Sequence, residues 1–151
     1  MKNKIKTIAI IGGGPAGCAL ATLLKRKGFK VAVFYLEKRP EIIVGESLVP
    51  AIIPMLRALG VEDEVKSYST YKPGASVWVS KDEEATSPFS YGGGNLPPYA
   101  YNVPRVKFDK TIFENALKEG VRFFNLAAKI EKTGNNDELK LSDDTIAGTN
   151  G

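Results

Sequence analysis

A glycine-rich hexapeptide, residues 12–17 (Gly-Gly-Gly-Pro-Ala-Gly), constrains this chain more than any other feature because it separates two segments of different periodicity. The Ile-rich segment from Lys4 to Ile11 has the composition of a β-strand. From Pro15 to Lys27 the pattern is helical, and Lys30 to Leu36 is nearly all apolar, as in a strand covered on both faces. The expected buried face of the helix comprises Ala16, Ala19, Leu20, Leu23 and Leu24. This order of elements predicts a dinucleotide-binding α/β unit.

The hexapeptide satisfies the pattern G-x-G-x-x-G, and each position has a physical role in binding a pyrophosphate. Gly12 permits the tight turn that leaves the strand, Gly14 allows the backbone to approach the phosphates, and Gly17 allows the helix to pack against the strand. Pro15 and Ala16 begin the helix, whose first N–H groups would bind the phosphates. A glycine turn that binds nothing is the alternative, and the flanking strand and helix favour the nucleotide site.

An acidic residue near the end of the second strand is expected to bind ribose hydroxyls in such a unit. Glu37 follows Gly17 at the required spacing of about 20 residues. The alternative is a surface glutamate beside Lys38 and Arg39.

The composition excludes several kinds of chemistry. The chain has no histidine, which removes His-dependent general bases, nucleophiles and metal ligands. Its one cysteine, Cys18, can form neither an intrachain disulfide nor a thiolate zinc site, so we expect a packing role for this thiol, no metal and a cytoplasmic location. The net charge of +4 is spread among acidic residues, which favours a solvated surface over nucleic-acid binding. No apolar run approaches the ~20 residues that span a membrane.

The remaining residues predict an irregular region followed by a helix and further strands, all within one domain of residues 1–151. Asp109 is expected to cap the longer helix. The predicted elements are helices at Pro50–Leu59, Glu62–Lys66 and Phe108–Glu119, strands at Ala75–Ser80, Val121–Leu126 and Thr145–Ala147, a hairpin of Lys129–Thr133 with Leu139–Leu141, and a loop at Asp82–Pro98.

The segment 45–50, Gly-Glu-Ser-Leu-Val-Pro, carries a family resemblance. It resembles the G-E-S-L-x-P loop of the flavin-dependent halogenases and the related FAD monooxygenase-like oxidoreductases. In that family the loop follows the second strand and lies beside the flavin, which implies a flavin contact for Ser47. The following segment, Met55 to Val61, is similar to the family's next helix.

Two further segments extend the resemblance. Residues 72–78, Lys-Pro-Gly-Ala-Ser-Val-Trp, resemble the K-x-G-x-x-F/W pattern whose lysine, in the halogenases, faces the channel between flavin and substrate and handles hypohalous acid. The resemblance therefore implies a catalytic role for Lys72. Arg105 precedes Phe108-Asp109 much as the family's flavin-approaching arginine precedes its F-D pair. From the residues alone, a lysine before Pro-Gly such as Lys72 is more often an exposed turn residue, and Arg105 could equally be a surface or capping residue.

The resemblance implies an α/β, three-layer FAD/NAD(P)-binding (Rossmann-like) domain with a central parallel sheet. Two departures accompany it. Aligned from Val31 to Gly45, Tyr35 falls where the family usually has its ribose-binding acid, and Glu37 follows two residues later. The sequence also stops at Gly151, before the family's second flavin-contacting segment and substrate domain. We therefore expect an N-terminal portion, incomplete at its C-terminal end and prone to self-association through exposed apolar edges.

The implied activity is halogenation or oxygenation of a small organic substrate with FAD and oxygen, reduced flavin being supplied by a separate flavin reductase. Two alternatives remain open at this point. The first is a nucleotide-binding module without catalytic activity. The second is an NAD(P)-only dehydrogenase, against which the segment 45–50 argues.

Overall fold

The computed structural model describes residues 7–37, 43–92, 94–133 and 136–141, and the chain divides into two compact units. The first unit comprises Met1–Glu41 with Ile112–Gly151, and the second comprises Ile42–Thr111. Two short 3-10 turns lie at Pro50–Ile52 and Phe89–Tyr91. The other elements, in chain order, are β1 (Thr7–Ile11), α1 (Pro15–Arg26), β2 (Lys30–Tyr35), α2 (Ile53–Leu59), α3 (Glu62–Tyr68), β3 (Thr70–Lys72), β4 (Gly74–Trp78), β5 (Glu84–Pro88), β6 (Ala100–Asn102), α4 (Arg105–Lys118), β7 (Arg122–Asn125), β8 (Ala128–Thr133) and β9 (Asn136–Leu141).

A parallel three-stranded sheet, in the order β1-β2-β7, organises the first unit. The buried side chains of Val31 and Val33 lie at its centre, on the middle strand. The pairing of β1 with β2 continues into the glycine turn, where the N–H of Gly12 donates to the carbonyl of Phe34 at 2.8 Å. The predicted α/β fold with a central parallel sheet is confirmed.

Helix α1 packs closely against the turn that precedes it, and small residues make this possible. A Cβ atom added at Gly17 would lie 2.0 Å from the carbonyl oxygen of Gly12. The buried positions of the helix are Cys18, Ala19, Ala21 and Thr22. Leu20, which was predicted on the buried face, is instead 50% exposed. The predicted face was wrong because helical spacing locates apolar stripes but does not show how closely the backbone approaches the sheet.

Aromatic side chains connect α4 to the sheet of the first unit. The ring of Phe113 on α4 lies 4.2 Å from that of Phe123 on β7 and 5.5 Å from that of Tyr35 on β2, measured between centroids. Phe34 and Phe124 stack in the same unit at 5.2 Å. Such aromatic pairs prefer particular ring orientations, and they stabilise the packing of α4 on the sheet beyond the effect of burying apolar area.

The second unit contains two short helices, two antiparallel strand pairs and a connecting segment. Its core includes Ile53, Leu56 and Leu59 of α2 and Val65 of α3. The pairs are β3 with β6 and β4 with β5. The segment 46–48 lies along β6, because Leu48 donates its N–H to Tyr101 and Val103 donates its N–H to Glu46, at 2.9 and 2.8 Å.

Several sequence expectations for these residues were wrong. The predicted loop at 82–98 contains strand β5, and neither β3 nor β6 was predicted. Helix α4 begins at Arg105, so Asp109 lies inside the helix and is not its cap. The predicted hairpin of 129–133 with 139–141 is confirmed as the antiparallel pair β8 and β9, but its second strand begins earlier than predicted, at Asn136. The predicted strand at 145–147 lies outside the described residues.

None of the helices in the described part of the chain has both the length and the apolar character needed to cross a bilayer.

The contact between Gly17 and Gly12 generates a stability prediction. Gly17→Ala should lower the free energy of unfolding by at least about 3 kcal/mol, because the methyl group collides with backbone that cannot rotate away. Urea unfolding followed by far-UV circular dichroism measures the change. Gly14→Ala is the matched control, since nothing lies within 4 Å of its added Cβ and its φ of −76° suits alanine. Equal stability of the two variants would contradict the close packing.

Candidate functional site

The glycine turn between β1 and α1 leaves open space beside the start of the helix. Gly12 has a φ of +112°, which favours glycine, and neither Gly12 nor Gly14 has an atom within 4 Å of an added Cβ. No side chain caps α1 at Gly14. The first N–H groups of a helix lack intrahelical acceptors and lie at the positive end of its dipole. The turn can therefore accept an anionic diphosphate close to the backbone.

A cavity of about 240 Å³ lies at the carboxyl ends of the three parallel strands. Ligands of parallel α/β sheets bind at this end of the strands. The lining is largely apolar, which suits a flat heteroaromatic ring. It consists of Ile11, Gly12, Phe34, Tyr35, Leu36, Leu126, Ala127 and Ala128.

Glu37 lies exposed just beyond β2 and is held by Asn125 at the end of β7. Its backbone N–H donates to Oδ1 of Asn125, and its Oε2 accepts from Nδ2 of the same residue, both at 3.1 Å. Sequence reasoning missed Asn125, because the pairing of β2 with β7 that brings the two residues together is not visible in the sequence. The ribose-binding role of Glu37 remains a prediction. The hydrogen bond from Asn125 gives its carboxylate a defined orientation.

Tyr35 has a packing role in this unit. Its ring makes edge contacts with Phe113 and Phe123, at 5.5 and 6.0 Å between centroids. Its Cβ would lie 2.7 Å from a Cβ added at Gly13, so Tyr35 also explains why position 13 is glycine. Of the two candidates for the ribose-binding position, Glu37 is thus the one with an exposed polar group at the strand end.

In the second unit the structure brings Lys72 and Ser47 together. The ammonium Nζ of Lys72 donates to Oγ of Ser47 at 2.5 Å and to the carbonyl oxygen of Leu48 at 3.2 Å. Strand β6 explains the approach, because Lys72 pairs with Ala100 on one side of it and Ser47 bridges Asn102 on the other. Lys72 is a half-buried strand residue, so its interpretation as an exposed turn residue was wrong.

A third group near Lys72 was not predicted. The ring centroid of Phe89 lies 5.2 Å from Nζ, within the range of a cation–π contact. The N–H of Phe89 donates to the carbonyl of Pro73 at 2.8 Å, which holds the aromatic residue beside the lysine strand. All three recorded partners of Lys72 are uncharged, so its positive charge is oriented without being neutralised by them. Phe89 also borders a small cavity of about 110 Å³.

Arg105 connects the segment before Ser47 to the first turn of α4. Its Nη1 donates to the carbonyl of Val44 at 2.5 Å, and its Nε donates to Oδ1 of Asp109 at 3.0 Å. A second contact, Nη2 to Oδ2 of Asp109 at 3.4 Å, makes the ion pair two-pronged. Gly45 has a φ of +99°, and an added Cβ would lie 2.8 Å from Nη1. Arg105 is therefore neither a free surface residue nor a helix cap; it holds this loop, and its predicted flavin contact remains a prediction.

The described residues contain no group of three or more His, Cys, Asp or Glu side chains that could hold a metal ion. The groups described above that can bind a ligand are the backbone N–H groups of the glycine turn, the Glu37 carboxylate and the Lys72 ammonium.

Comparison with known proteins adds family information. The family model described as tryptophan halogenase matches residues 7–98. A flavin-dependent halogenase of Armillaria mellea is 35% identical over 127 residues, which are 83% of this chain and 25% of that protein. A 1H-pyrrole-2-carbonyl-[peptidyl-carrier protein] chlorinase of Pseudomonas fluorescens is 32% identical over 78% of this chain and 30% of its own length. The chain thus spans only 25% to 30% of these two curated relatives.

Solved structures share the fold. The myxobacterial chondrochloren halogenase CndH, a variant of FAD-dependent halogenases, matches with a TM-score of 0.72 and 29% identity over 86% of this chain and 31% of that one. A flavoprotein/dehydrogenase of Cytophaga hutchinsonii matches with a TM-score of 0.74 and 30% identity over 91% of this chain and 37% of that one.

The ion pair between Arg105 and Asp109 can be tested with a double-mutant cycle. Arg105→Lys and Asp109→Asn should each lower the free energy of unfolding by about 1–3 kcal/mol, because either change leaves the other group with incomplete hydrogen bonding. The double variant should cost about 1 kcal/mol less than the sum of the two, as expected for residues in contact. Urea denaturation provides the values, and Lys118→Ala on an exposed position of α4 should stay within about 0.5 kcal/mol of the parent chain. Strict additivity would show that the pair contributes no coupling.

Proposed function

Because the chain belongs to the tryptophan halogenase family, we propose that it binds FAD and forms the nucleotide-binding part of a flavin-dependent halogenase. The observation that carries the proposal is the open, uncapped glycine turn between β1 and α1, next to the apolar cavity at the ends of the parallel strands. FAD has a diphosphate between two flat ring systems, and these two features fit its diphosphate and its adenine ring.

Different residues of the first unit would bind different parts of FAD. Gly12 and Gly14 leave room for the diphosphate, and the N–H groups of Ala16 and Gly17 in the first turn of α1 would donate to it. Glu37 would bind a ribose hydroxyl through Oε1, since Asn125 occupies only Oε2. Bound FAD, once reduced, supplies the oxygen-dependent oxidising chemistry that no side chain of the chain provides.

We propose that Lys72 binds the reactive halogen species. Hypohalous acid has an oxygen that can accept a hydrogen bond from an ammonium group, and this contact makes the halogen more electrophilic. The contacts with Ser47, Leu48 and Phe89 hold the ammonium in one place, and none of these three partners carries a charge that would neutralise it. Arg105 supports this arrangement indirectly by fixing the loop that leads to Ser47.

The other components of the reaction are also part of the proposal. The substrate is a small, electron-rich organic molecule, and a separate flavin reductase supplies reduced flavin. We place the reaction in the cytoplasm, where a lone cysteine remains reduced. The pyrrole-modifying relative supports an electron-rich substrate class but does not identify the molecule.

Binding of FAD is the first test. The purified chain should bind FAD, and Gly14→Ala should weaken the binding at least tenfold, about 1.4 kcal/mol, because a methyl group then occupies the space that the diphosphate needs. Titration with the flavin spectrum or fluorescence as readout gives the dissociation constants. Circular dichroism must show that the variant keeps the parent fold.

A chain that binds no FAD, or a Gly14→Ala variant that binds it equally well, would overturn the proposed site. Displacement of FAD by NADH would instead support the NAD(P)-only alternative. FAD binding without turnover in a reductase-coupled assay of the same chain would support a nucleotide-binding module.

The role of Lys72 requires an assay of halogenation with a flavin reductase, FAD, oxygen and a halide salt. Lys72→Met should reduce product formation by about 10²-fold or more, the scale for loss of a positioned proton donor, while the affinity for FAD stays unchanged. Lys66→Met, at an exposed position of α3, is the matched control and should leave both quantities at the parent level. Halogenation by Lys72→Met at the parent rate would remove this residue from the mechanism.

A further inference from the structure

Three tyrosines in the second unit form a continuous aromatic stack beside a carboxylate. The rings of Tyr71 and Tyr99 are stacked at 5.5 Å between centroids, and those of Tyr99 and Tyr101 meet edge to face at 5.6 Å. Tyr101 is only 2% exposed, whereas Tyr71 is 57% exposed. The stack therefore leads from the interior of the unit to its surface.

We propose that this tyrosine triad (Tyr71, Tyr99 and Tyr101) is a redox relay that carries an oxidising equivalent from the buried interior to the surface, with Glu62 as its proton acceptor. The proposal goes beyond FAD binding and rests on the proposed function only for the source of its oxidant, because the side chains of the triad take no part in the contacts assigned to the cofactor or to Lys72. A protein that combines reduced flavin with oxygen would be exposed to oxygen-centred radicals, and these are the class of oxidant that the relay would discharge.

The hydrogen bonds around Tyr99 are suited to oxidation coupled to proton transfer. Its phenolic O–H donates to Oε1 of Glu62 at 2.5 Å, which places donor and acceptor within direct proton-transfer reach. Arg57 completes the network, donating from Nη2 to the phenolic oxygen at 2.8 Å and from Nε to Oε2 of Glu62 at 2.7 Å. The phenolic O–H of Tyr101 also points to Oε1, at 3.5 Å.

The charge states of these groups agree with this direction of proton transfer. Burial raises the pKa of the Glu62 carboxyl, but the hydrogen bonds from Tyr99 and Arg57 together outweigh it, and the pKa lies below its usual value. Glu62 is thus an ionised acceptor at neutral pH. Burial is the main reason that the pKa of Tyr101 rises to about 12, so this phenol keeps its proton at neutral pH.

The steps balance in atoms and charge. An oxygen-centred radical takes one electron from Tyr101 and becomes an anion that water protonates, while the phenolic proton of Tyr101 moves to Oε1 of Glu62. An electron from Tyr99 then reduces Tyr101: the proton returns from Glu62 to Tyr101, and the proton of Tyr99 replaces it on Oε1. This leaves a neutral phenoxyl radical on Tyr99 and a neutral carboxylic acid on Glu62. An electron from Tyr71 then reduces Tyr99 while the proton returns from Glu62. Tyr71 releases its own proton to water at the surface. A thiol in solution restores Tyr71 by giving it one electron and one proton, and the resulting thiyl radical combines with a second one to form a disulfide.

A purely structural role for the same network makes a different prediction about which tyrosine is oxidised. If the triad only connects α3 to β6, oxidation should follow exposure. Tyr91, outside the triad and 83% exposed, should then react more than Tyr71. A relay should make Tyr71 the more oxidised of the two, because Tyr71 receives the oxidising equivalents of all three rings of the triad, whereas Tyr91 is oxidised only directly.

The experiment uses the chain with Trp78→Phe, which removes its one indole, an exposed and easily oxidised group. Tris(bipyridine)ruthenium(II) and persulfate generate a one-electron oxidant in a light flash. The spin trap 2-methyl-2-nitrosopropane captures the tyrosyl radicals, and peptide mass spectrometry locates the adducts. We expect more adduct on Tyr71 than on Tyr91, and this first comparison depends on no change within the triad.

Variants then test the path. Tyr99→Phe should lower the adduct on Tyr71 below that on Tyr91, and Glu62→Gln, which keeps an acceptor oxygen but takes up no proton, should slow radical formation by about 10²-fold. Tyr68→Phe is the matched control, since Tyr68 bonds to Thr111 outside the triad, and it should leave the ratio unchanged. Circular dichroism confirms folding of each variant. Equal or greater labelling of Tyr91 in the parent, or an unchanged ratio in a folded Tyr99→Phe variant, would overturn the relay.

Discussion

The close approach of α1 to the turn that precedes it is the constraint on which the first unit depends. Because Gly17 has no Cβ, the helix begins directly against the carbonyl of Gly12, and its first N–H groups are delivered to the end of β1. The same approach selects small residues such as Cys18 and Ala21 for the buried face. A larger residue at position 17 would move the helix away and take with it the positive end of the dipole on which the proposed diphosphate site depends.

In the second unit β6 has the corresponding role, although it is only three residues long. Lys72 reaches Ser47 because both residues lie beside this short strand. Lys72 is on β3, which pairs with one edge of β6, and Ser47 bridges to the other edge. Arg105, which follows this strand closely in the chain, returns to hold the loop before Ser47 through the carbonyl of Val44. Each of these side chains is therefore placed by backbone pairing or by a hydrogen bond within the chain.

The sequence was informative where structure is local. The glycine turn and helix of the first unit follow from periodicity and from glycines such as Gly17, whose role is set by Gly12 five residues earlier, and α1 and β2 were predicted to within one residue of their observed ends. The predicted start of the first strand, Lys4, lies outside the described residues. Asn125, Phe89 and β6 were missed because each acquires its role from a partner far along the chain. Asp109 illustrates a local competition: as a helix cap it was plausible, but its ion pair with Arg105, four residues earlier, favours a helix that begins at Arg105 itself.

The register of β6 has a consequence that extends beyond Lys72. Successive side chains of a strand point to opposite faces, so a shift of β6 by one position would reverse every side chain on it. Such a slip would turn Tyr101 away from Glu62 and, in the same step, misalign Ser47 with Lys72. The proposed roles of Lys72 and of the tyrosine triad would then be lost together, and an insertion or deletion of one residue near Ala100 would be harder to tolerate than a substitution at either place.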